Sequence, residues 1–143
     1  MNIYAESSAV LAWLLEEPSG ATVETVLASA DHIFTSDLTR VECERAIHRE
    51  RALERLSSRA ANRLALDLLV AIERWSMVPL APEILARACR PFPNEPIRSL
   101  DALHVASAIY VKRTHPDLAL LSLDDRIRRV GASLGFVICP ADR

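Results

Sequence analysis

Aromatic residues are scarce in this sequence, making up only 5% of its 143 residues. Half of the residues are nevertheless hydrophobic, so the core must be built mainly from Ala, Leu, Val and Ile. A chain of this length can bury a sizeable core, and a charged share of 25% is ordinary for a globular protein. We therefore expect a single folded domain over residues 1–143, with no long disordered tract.

Cysteine and targeting signals are also sparse. Cys43, Cys89 and Cys139 are odd in number, widely spaced and without a C-x-x-C pair, which argues against a disulfide framework or a zinc site. The first apolar run contains Glu6 and follows no basic stretch, so it is unlike a secretory signal. No apolar run approaches the roughly 20 residues that span a membrane. These absences predict a cytoplasmic protein with no membrane partner.

Lysine is nearly absent from the sequence. Lys112 is the only one, and arginine supplies the other positive side chains. The net charge of −2 does not indicate a nucleic-acid-binding protein. Arginine is nevertheless well suited to bidentate contact with phosphate. The charge balance therefore neither supports nor excludes RNA as a partner.

Short apolar runs alternate with amphipathic segments along the chain. We predict strands at residues 2–5, 32–35, 75–80, 118–121 and 136–139, and helices at 9–16, 21–30, 38–56, 59–72, 82–89, 99–113 and 126–134. Ser7 or Ser8 is expected to cap the first helix. The entirely apolar run at 118–121 is typical of a parallel strand buried on both faces. The alternation predicts an α/β fold with a short parallel sheet of about five strands.

Acidic residues lie near the predicted carboxyl ends of these strands. Glu6 follows the first strand, and Asp124 and Asp125 follow the fourth. Glu42 lies about one turn into the helix after the second strand, and Asp101 lies near the start of its own helix. Because open parallel sheets bind ligands at this edge, these acids could converge although they are distant in sequence.

Converging carboxylates repel one another and need shared protons, raised pKa values or a hard divalent cation. Mg²⁺ and Mn²⁺ prefer such oxygen ligands and suit phosphate chemistry. A plainer interpretation stays open for each acid, since Asp101, Asp124 and Asp125 could cap helices and Glu42 could be solvated. His104, on an otherwise apolar helix, favours a hydrogen-bonded core role over that of a general base.

Four segments, taken in order, resemble the motifs of the PIN-domain family. Residues 3–9 (IYAESSA) are similar to its opening strand and turn, and residues 35–42 (TSDLTRVE) to its second motif, which ends in an acid. Residues 98–106 (RSLDALHVA) resemble its Asp-Ala-Leu/Ile-His motif, and residues 121–126 (LSLDDR) its fourth. The resemblance covers essentially the whole chain and is greatest to the VapC toxins of bacterial toxin–antitoxin pairs.

This resemblance implies a three-layer α/β/α fold and an endoribonuclease that depends on Mg²⁺ or Mn²⁺ and cleaves RNA. It also implies a homodimer restrained by a VapB-like antitoxin. Glu6, Glu42, Asp101 and Asp124 map onto the acidic catalytic quartet of the family. The metal ligands it implies are Glu6, Asp101 and Asp124, with Asp125 as a supplementary ligand.

Further residues are candidates for substrate contact. Ser7 or Ser8 maps onto the small polar position beside the first acid of the family motif. Arg40 and Arg45 lie nearest the predicted edge of the sheet, and Arg98 could contact RNA phosphate or pair with an acid. The apolar surface near Trp13 and Leu14 could be core or a partner groove.

One departure from the family pattern affects the functional prediction. The first acid of the family is usually Asp, and this chain has Glu6 there, with no other acid before Glu16. Mg²⁺ demands a near-octahedral geometry, so the extra methylene could disturb the site. An inactive PIN-fold binding module is therefore the alternative to a nuclease. A magnesium phosphatase would need a D-x-D motif after the first strand, which the sequence lacks.

Overall fold

The computed structural model describes residues 1–141, and it shows a five-stranded sheet in which every neighbouring pair is parallel. The strands are β1 (Asn2–Ala5), β2 (His32–Ser36), β3 (Ser76–Val78), β4 (Ala119–Leu121) and β5 (Val137–Cys139). Their order across the sheet is β3-β2-β1-β4-β5, so β1 lies at the centre. The predicted parallel sheet is confirmed, and the last two residues of the expected domain lie outside the described part.

Seven helices connect these strands within residues 1–141. They are α1 (Ser7–Leu14), α2 (Gly20–Ala28), α3 (Asp37–Ala52), α4 (Ser58–Arg74), α5 (Pro82–Ala88), α6 (Ser99–Lys112) and α7 (Asp125–Ser133). In this part of the chain, no helix has both the length and the apolar character needed to cross a membrane.

Two helix boundaries differ from those predicted from the sequence. The N-cap of α1 is Glu6 rather than Ser7 or Ser8, because the Glu6 carboxylate accepts the N–H of Ser8. Helix α3 ends at Ala52, before the predicted end at residue 56, because Glu54 adopts a left-handed φ of 58°. Both differences arise from local side-chain and backbone geometry that hydrophobic spacing does not report.

The sheet is buried on both faces, which explains its apolar strands. On β1, Ile3 and Ala5 face one core and Tyr4 faces the other, and all three are fully buried. Helices α1 to α4 supply side chains to the first core, and α5 to α7 supply them to the second. This arrangement confirms the three-layer α/β/α architecture.

The register between the two central strands determines what meets at the carboxyl edge of the sheet. Ala5 of β1 pairs with Leu121 of β4. The next residue of β1 continues the pairing, since the N–H of Glu6 donates to the carbonyl of Leu121 at 2.9 Å. Glu6 and Ser122 therefore leave adjacent strands side by side.

Candidate active site

Glu6 is buried at the centre of this edge, with 3% of its surface exposed. Its carboxylate oxygen Oε1 accepts the hydroxyl of Ser7 at 2.6 Å and the N–H of Ser8 at 3.0 Å. Oε2 accepts the hydroxyl of Ser122 at 2.7 Å and that of Ser8. A carboxylate offers about four lone-pair sites, so these bonds leave it little free capacity. The chain itself satisfies a buried charge that would otherwise be costly.

Ser8 and Ser122 also hold the loop that follows β4. The Ser8 hydroxyl accepts the N–H of Leu123 at 2.9 Å, and the Ser122 hydroxyl accepts the N–H of Asp124 at 3.1 Å. Each serine thus donates to Glu6 and accepts from the loop. The position of the loop, and of Asp124 within it, is fixed relative to the end of β1.

A second set of hydrogen bonds joins Glu6 to Glu42 on α3. The Ser7 hydroxyl lies 2.6 Å from Glu6 Oε1 and 2.9 Å from Glu42 Oε2, and its single proton can be donated to only one of them at a time. On the other side, His104 Nε2 lies 2.8 Å from Glu42 Oε1, and the Tyr4 hydroxyl lies 3.3 Å from Nδ1. His104 is 1% exposed, as expected for a hydrogen-bonded core residue.

The partners of Glu42 control its charge. Burial acts to raise the pKa of this carboxyl, but the hydrogen bond and charge of His104, with the bond from Ser7, outweigh burial and lower the pKa. Glu42 is therefore ionised at neutral pH. Its contacts with two buried side chains exclude the plainer interpretation of a solvated helix residue.

Asp101 and Asp124 lie near the starts of two different helices. Asp101 is in the first turn of α6, and its Oδ2 accepts only a long bond, 3.4 Å, from the N–H of Arg98. Asp124 is the N-cap of α7, where Oδ1 accepts the N–H groups of Arg126 at 2.8 Å and Ile127 at 3.1 Å. The capping role is therefore strong for Asp124 and weak for Asp101. The cap uses only one oxygen of Asp124.

Electrostatic repulsion connects these two acids with Glu6. Burial raises the pKa of the Asp101 carboxyl, and the negative charges of Asp124 and Glu6 add to the rise. The N–H of Arg98 and the charge of Arg126 lower this pKa, but not enough to cancel the rise. Asp124 and Glu6, although far from Asp101 in the sequence, thus lie near enough for their charges to disfavour its ionisation.

The other predicted site residues are more peripheral. Asp125 is exposed in the first turn of α7, and Arg40 and Arg45 are exposed on α3. The Arg40 guanidinium donates to Glu44 at 3.0 Å. Arg98 is exposed at the N-cap of α6, and its backbone N–H, rather than its guanidinium, reaches Asp101.

Sequence reasoning missed two residues of the site. Ser122 is fully buried and contacts Glu6, and its place directly after β4 and two residues before Asp124 was the available signal. Tyr4 is also fully buried and contacts His104, but its position inside a strand gave no such signal. Burial is the main reason that the pKa of Tyr4 is raised, so its hydroxyl stays neutral.

The donor chemistry of this edge fits a hard divalent cation only in part. Among residues 1–141, no three carboxylate, imidazole or thiol groups stand close enough to hold an ion as they are arranged. Asp101 and Asp124 offer carboxylate oxygens, and a cation between them would relieve the repulsion that raises the pKa of Asp101. The oxygens of Glu6, in contrast, are already bound.

Comparison with known proteins identifies the family. The model of the PIN domain matches residues 3–133. The chain therefore belongs to the PIN-domain family, which confirms the resemblance of the four motifs. Ribonuclease VapC46 of Mycobacterium tuberculosis is 34% identical, covering 97% of this chain and 98% of that protein. This similarity supports a VapC-type ribonuclease toxin as the function, as predicted from the sequence.

Solved structures agree on the fold. VapC20 of Mycobacterium tuberculosis, described as a sarcin–ricin loop cleaving toxin, superposes with a TM-score of 0.65 at 18% identity, covering 94% of this chain and 96% of that one. VapBC2 of Rickettsia felis, solved bound to a DNA fragment from its promoter, gives a TM-score of 0.66 at 12% identity, covering 96% and 97%. At these identities the likeness establishes the PIN fold alone.

Proposed function

We propose that this protein is a Mg²⁺- or Mn²⁺-dependent endoribonuclease of the VapC type, with its active site at the carboxyl edge of β1 and β4. The observation that carries the proposal is that the fold brings Asp101 near Asp124 and Glu6, whose negative charges add to the effect of burial and help to raise the pKa of Asp101. The charge of Arg126 offsets this only in part, which favours a site that is completed by a bound cation.

The residues at the carboxyl edge of the sheet would have different roles in phosphodiester hydrolysis. Asp101 and Asp124, with Asp125 as a supplementary ligand, would hold the cation. A bound Mg²⁺ or Mn²⁺ supplies charge neutralisation at the phosphate and lowers the pKa of water. Glu42, kept ionised by His104, is suited to orient the attacking water and accept its proton. The expected products carry a 5′-phosphate and a 3′-hydroxyl.

Arginine side chains would provide the contacts with RNA. Arg40, Arg45 and Arg98 are exposed and lie close in sequence to Glu42 or Asp101, and guanidinium groups bind phosphate in a bidentate manner. The protein carries a net charge of −2, so binding must rely on such a local patch rather than on overall charge. Cleavage should therefore weaken as the salt concentration rises.

The test is cleavage of RNA by the purified full chain. The wild type should cut RNA with added Mg²⁺ or Mn²⁺ and stop cutting with EDTA. Asp101→Asn should lower the rate by about 100-fold or more, because it removes a cation ligand but not the fold. Asp117→Asn, at an exposed acid that contacts Asn2 away from this edge, is the matched control and should cut normally. Normal cleavage by Asp101→Asn would refute the proposed site.

A specific observation favours a second candidate, a PIN-fold binding module without catalysis. Both oxygens of the Glu6 carboxylate already accept hydrogen bonds from its own chain, and few of its oxygen lone pairs remain for a metal. Such a module would bind RNA or its partner in the presence of metal and leave the RNA intact. The cleavage assay above separates the two candidates.

The proposed partner is a VapB-like antitoxin, which would place an amphipathic helix in an apolar groove. The groove has a volume of about 560 Å³ and is bordered by α1, α2 and α4. Trp13 and Trp75, which pack against each other, line the groove, and the exposed side chains of Arg63 and Glu24 add both signs of charge to its lining. A polar rim around an apolar centre is typical of helix-binding surfaces.

We also propose a homodimer, which size-exclusion chromatography would test.

A further inference from the structure

The hydrogen bonds around Glu6 extend to the loop that carries another acid. Ser122 donates to Glu6 Oε2 at 2.7 Å and accepts the N–H of Asp124 at 3.1 Å. Ser8 has the same two-sided role, since it donates to Glu6 and accepts the N–H of Leu123 at 2.9 Å. The two serine hydroxyls lie 3.3 Å apart. Glu6 is thus the common acceptor of two bridges to the loop after β4.

We propose that Glu6 is a positioning residue rather than a metal ligand. Its carboxylate holds, through the hydroxyls of Ser8 and Ser122, the loop that presents Asp124. The cation would be held by Asp124 and Asp101, which are partly exposed, whereas Glu6 is 3% exposed. This inference rests on the proposed metal-dependent nuclease function.

The length of the side chain explains why this chain has Glu rather than Asp at position 6. An aspartate would hold its carboxylate about 1.5 Å nearer the backbone. The bond from Ser122, now 2.7 Å, would then exceed the normal length of a hydrogen bond. The glutamate therefore matches the positions of the serine hydroxyls. For Glu6 to bind a cation instead, at least one of these bonds would have to break.

A positioning role requires that the hydrogen bonds of Glu6 stabilise the metal-free protein. Glu6→Gln weakens these charge-assisted bonds and should lower the Tm in EDTA by roughly 3 °C or more. A raised Tm would instead mean that repulsion from the neighbouring acids outweighs these bonds. Glu17→Gln, at an exposed glutamate outside the site, is the matched control and should leave the Tm unchanged.

Mn²⁺ binding to the metal-stripped full chain, measured by isothermal titration calorimetry, provides the second readout. Asp101→Asn should weaken the Kd at least about ten-fold. Glu6→Gln and Ser122→Ala should weaken the Kd by factors that are similar to each other and smaller than that for Asp101→Asn. Their double variant should bind Mn²⁺ no more weakly than the worse single variant. Additive losses would instead show that Glu6 and Ser122 affect Mn²⁺ binding independently, which would overturn the positioning role.

The outcomes separate this inference from the nuclease proposal. Loss of Mn²⁺ binding in Glu6→Gln as complete as in Asp101→Asn, with Ser122→Ala unaffected, would overturn the positioning role alone. A raised Tm for Glu6→Gln in EDTA would do the same. A wild-type chain that neither binds Mn²⁺ nor cuts RNA would overturn both proposals.

Discussion

Two acids at the same edge of the sheet are in opposite electrostatic situations. Glu6 is buried, yet its charge is satisfied by serine hydroxyls and a backbone N–H. Asp101 is more exposed, but it has one long hydrogen bond and faces the negative charge of Asp124. Burial alone therefore does not indicate which acid is the better candidate for a cation ligand. We propose Asp101, because its own contacts compensate its charge poorly.

This difference makes the stability of the metal-free protein depend on pH in a defined direction. Because the pKa of Asp101 is raised on folding above the ordinary value of 3.8, the folded state binds more protons in the window just above that value. Stability contributed by this group is therefore lost as the pH rises through the window. At neutral pH the Asp101 charge destabilises the fold, and a bound cation would offset that cost.

Asp101→Asn should accordingly raise the Tm in EDTA at about pH 7.5 by roughly 1–2 °C, a small effect because the group is partly solvated. The gain should shrink as the pH is lowered into the acidic range, where the wild-type carboxyl takes up its proton. Thermal unfolding across this pH range measures the difference in Tm between Asp101→Asn and the wild type, with Asp117→Asn as the exposed control. A lower Tm for Asp101→Asn at neutral pH would mean that its carboxylate stabilises the fold through other contacts.

At the scale of helices and strands, the sequence predicts most of the architecture. The apolar run at 118–121 predicted a buried parallel strand, and β4 occupies it. Helix boundaries were less predictable, because α1 is capped by a long acidic side chain and α3 ends at a left-handed residue, Glu54. Spacing of apolar residues reports which face is buried, but not where side chains capture backbone groups.

The site was predictable only as a set of separate residues. Four acids could be proposed as site residues from their positions near strand ends or helix starts and from the family motifs. Their contacts depend on the register that pairs Ala5 with Leu121, and no local pattern encodes that register. The bridge from Ser122 to Glu6 spans 116 positions in the chain, so only the folded structure shows it.

The close packing of helix α1 against helix α2 predicts that a substitution at their contact will destabilise the fold. A Cβ added at Gly20 would lie 2.5 Å from the backbone carbonyl oxygen of Ala12, which cannot move without shifting α1. Gly20→Ala should therefore lower the free energy of unfolding by about 1–3 kcal/mol. Chemical denaturation of the full chain measures this loss.

Gly131→Ala on α7 is the matched comparison. Its Cβ would lie 2.4 Å from Cδ2 of Leu120, the end of a flexible side chain that can change rotamer. Removing a glycine from a helix also gains roughly 0.5–1 kcal/mol, which offsets part of the strain. We expect a smaller loss than for Gly20→Ala. The reverse ranking would show that the contact between α1 and α2 is the more adaptable one.

At the scale of the whole molecule, the proposed catalytic edge and the proposed partner groove use different surfaces of one scaffold. The acids follow β1 and β4 or lie early in α3, α6 and α7, whereas the groove is bordered by α1, α2 and α4. Helix α1 contributes to both, since it begins at the Glu6 cap and carries Trp13 into the groove. Partner binding and RNA cleavage should therefore be separable by mutation of residues far along α4.

Val70→Asp provides this separation. Val70 is 41% exposed on α4 and lines the groove, so a carboxylate there would be desolvated against the apolar face of the proposed antitoxin helix. Affinity for the product of the neighbouring small open reading frame should fall about 10- to 100-fold, while RNA cleavage and Tm stay unchanged. Val137→Asp, at a 63% exposed position on β5 outside the groove, is the control. In cells, the antitoxin should relieve growth arrest caused by Val137→Asp but not by Val70→Asp, and equal relief of both would show that the antitoxin binds elsewhere.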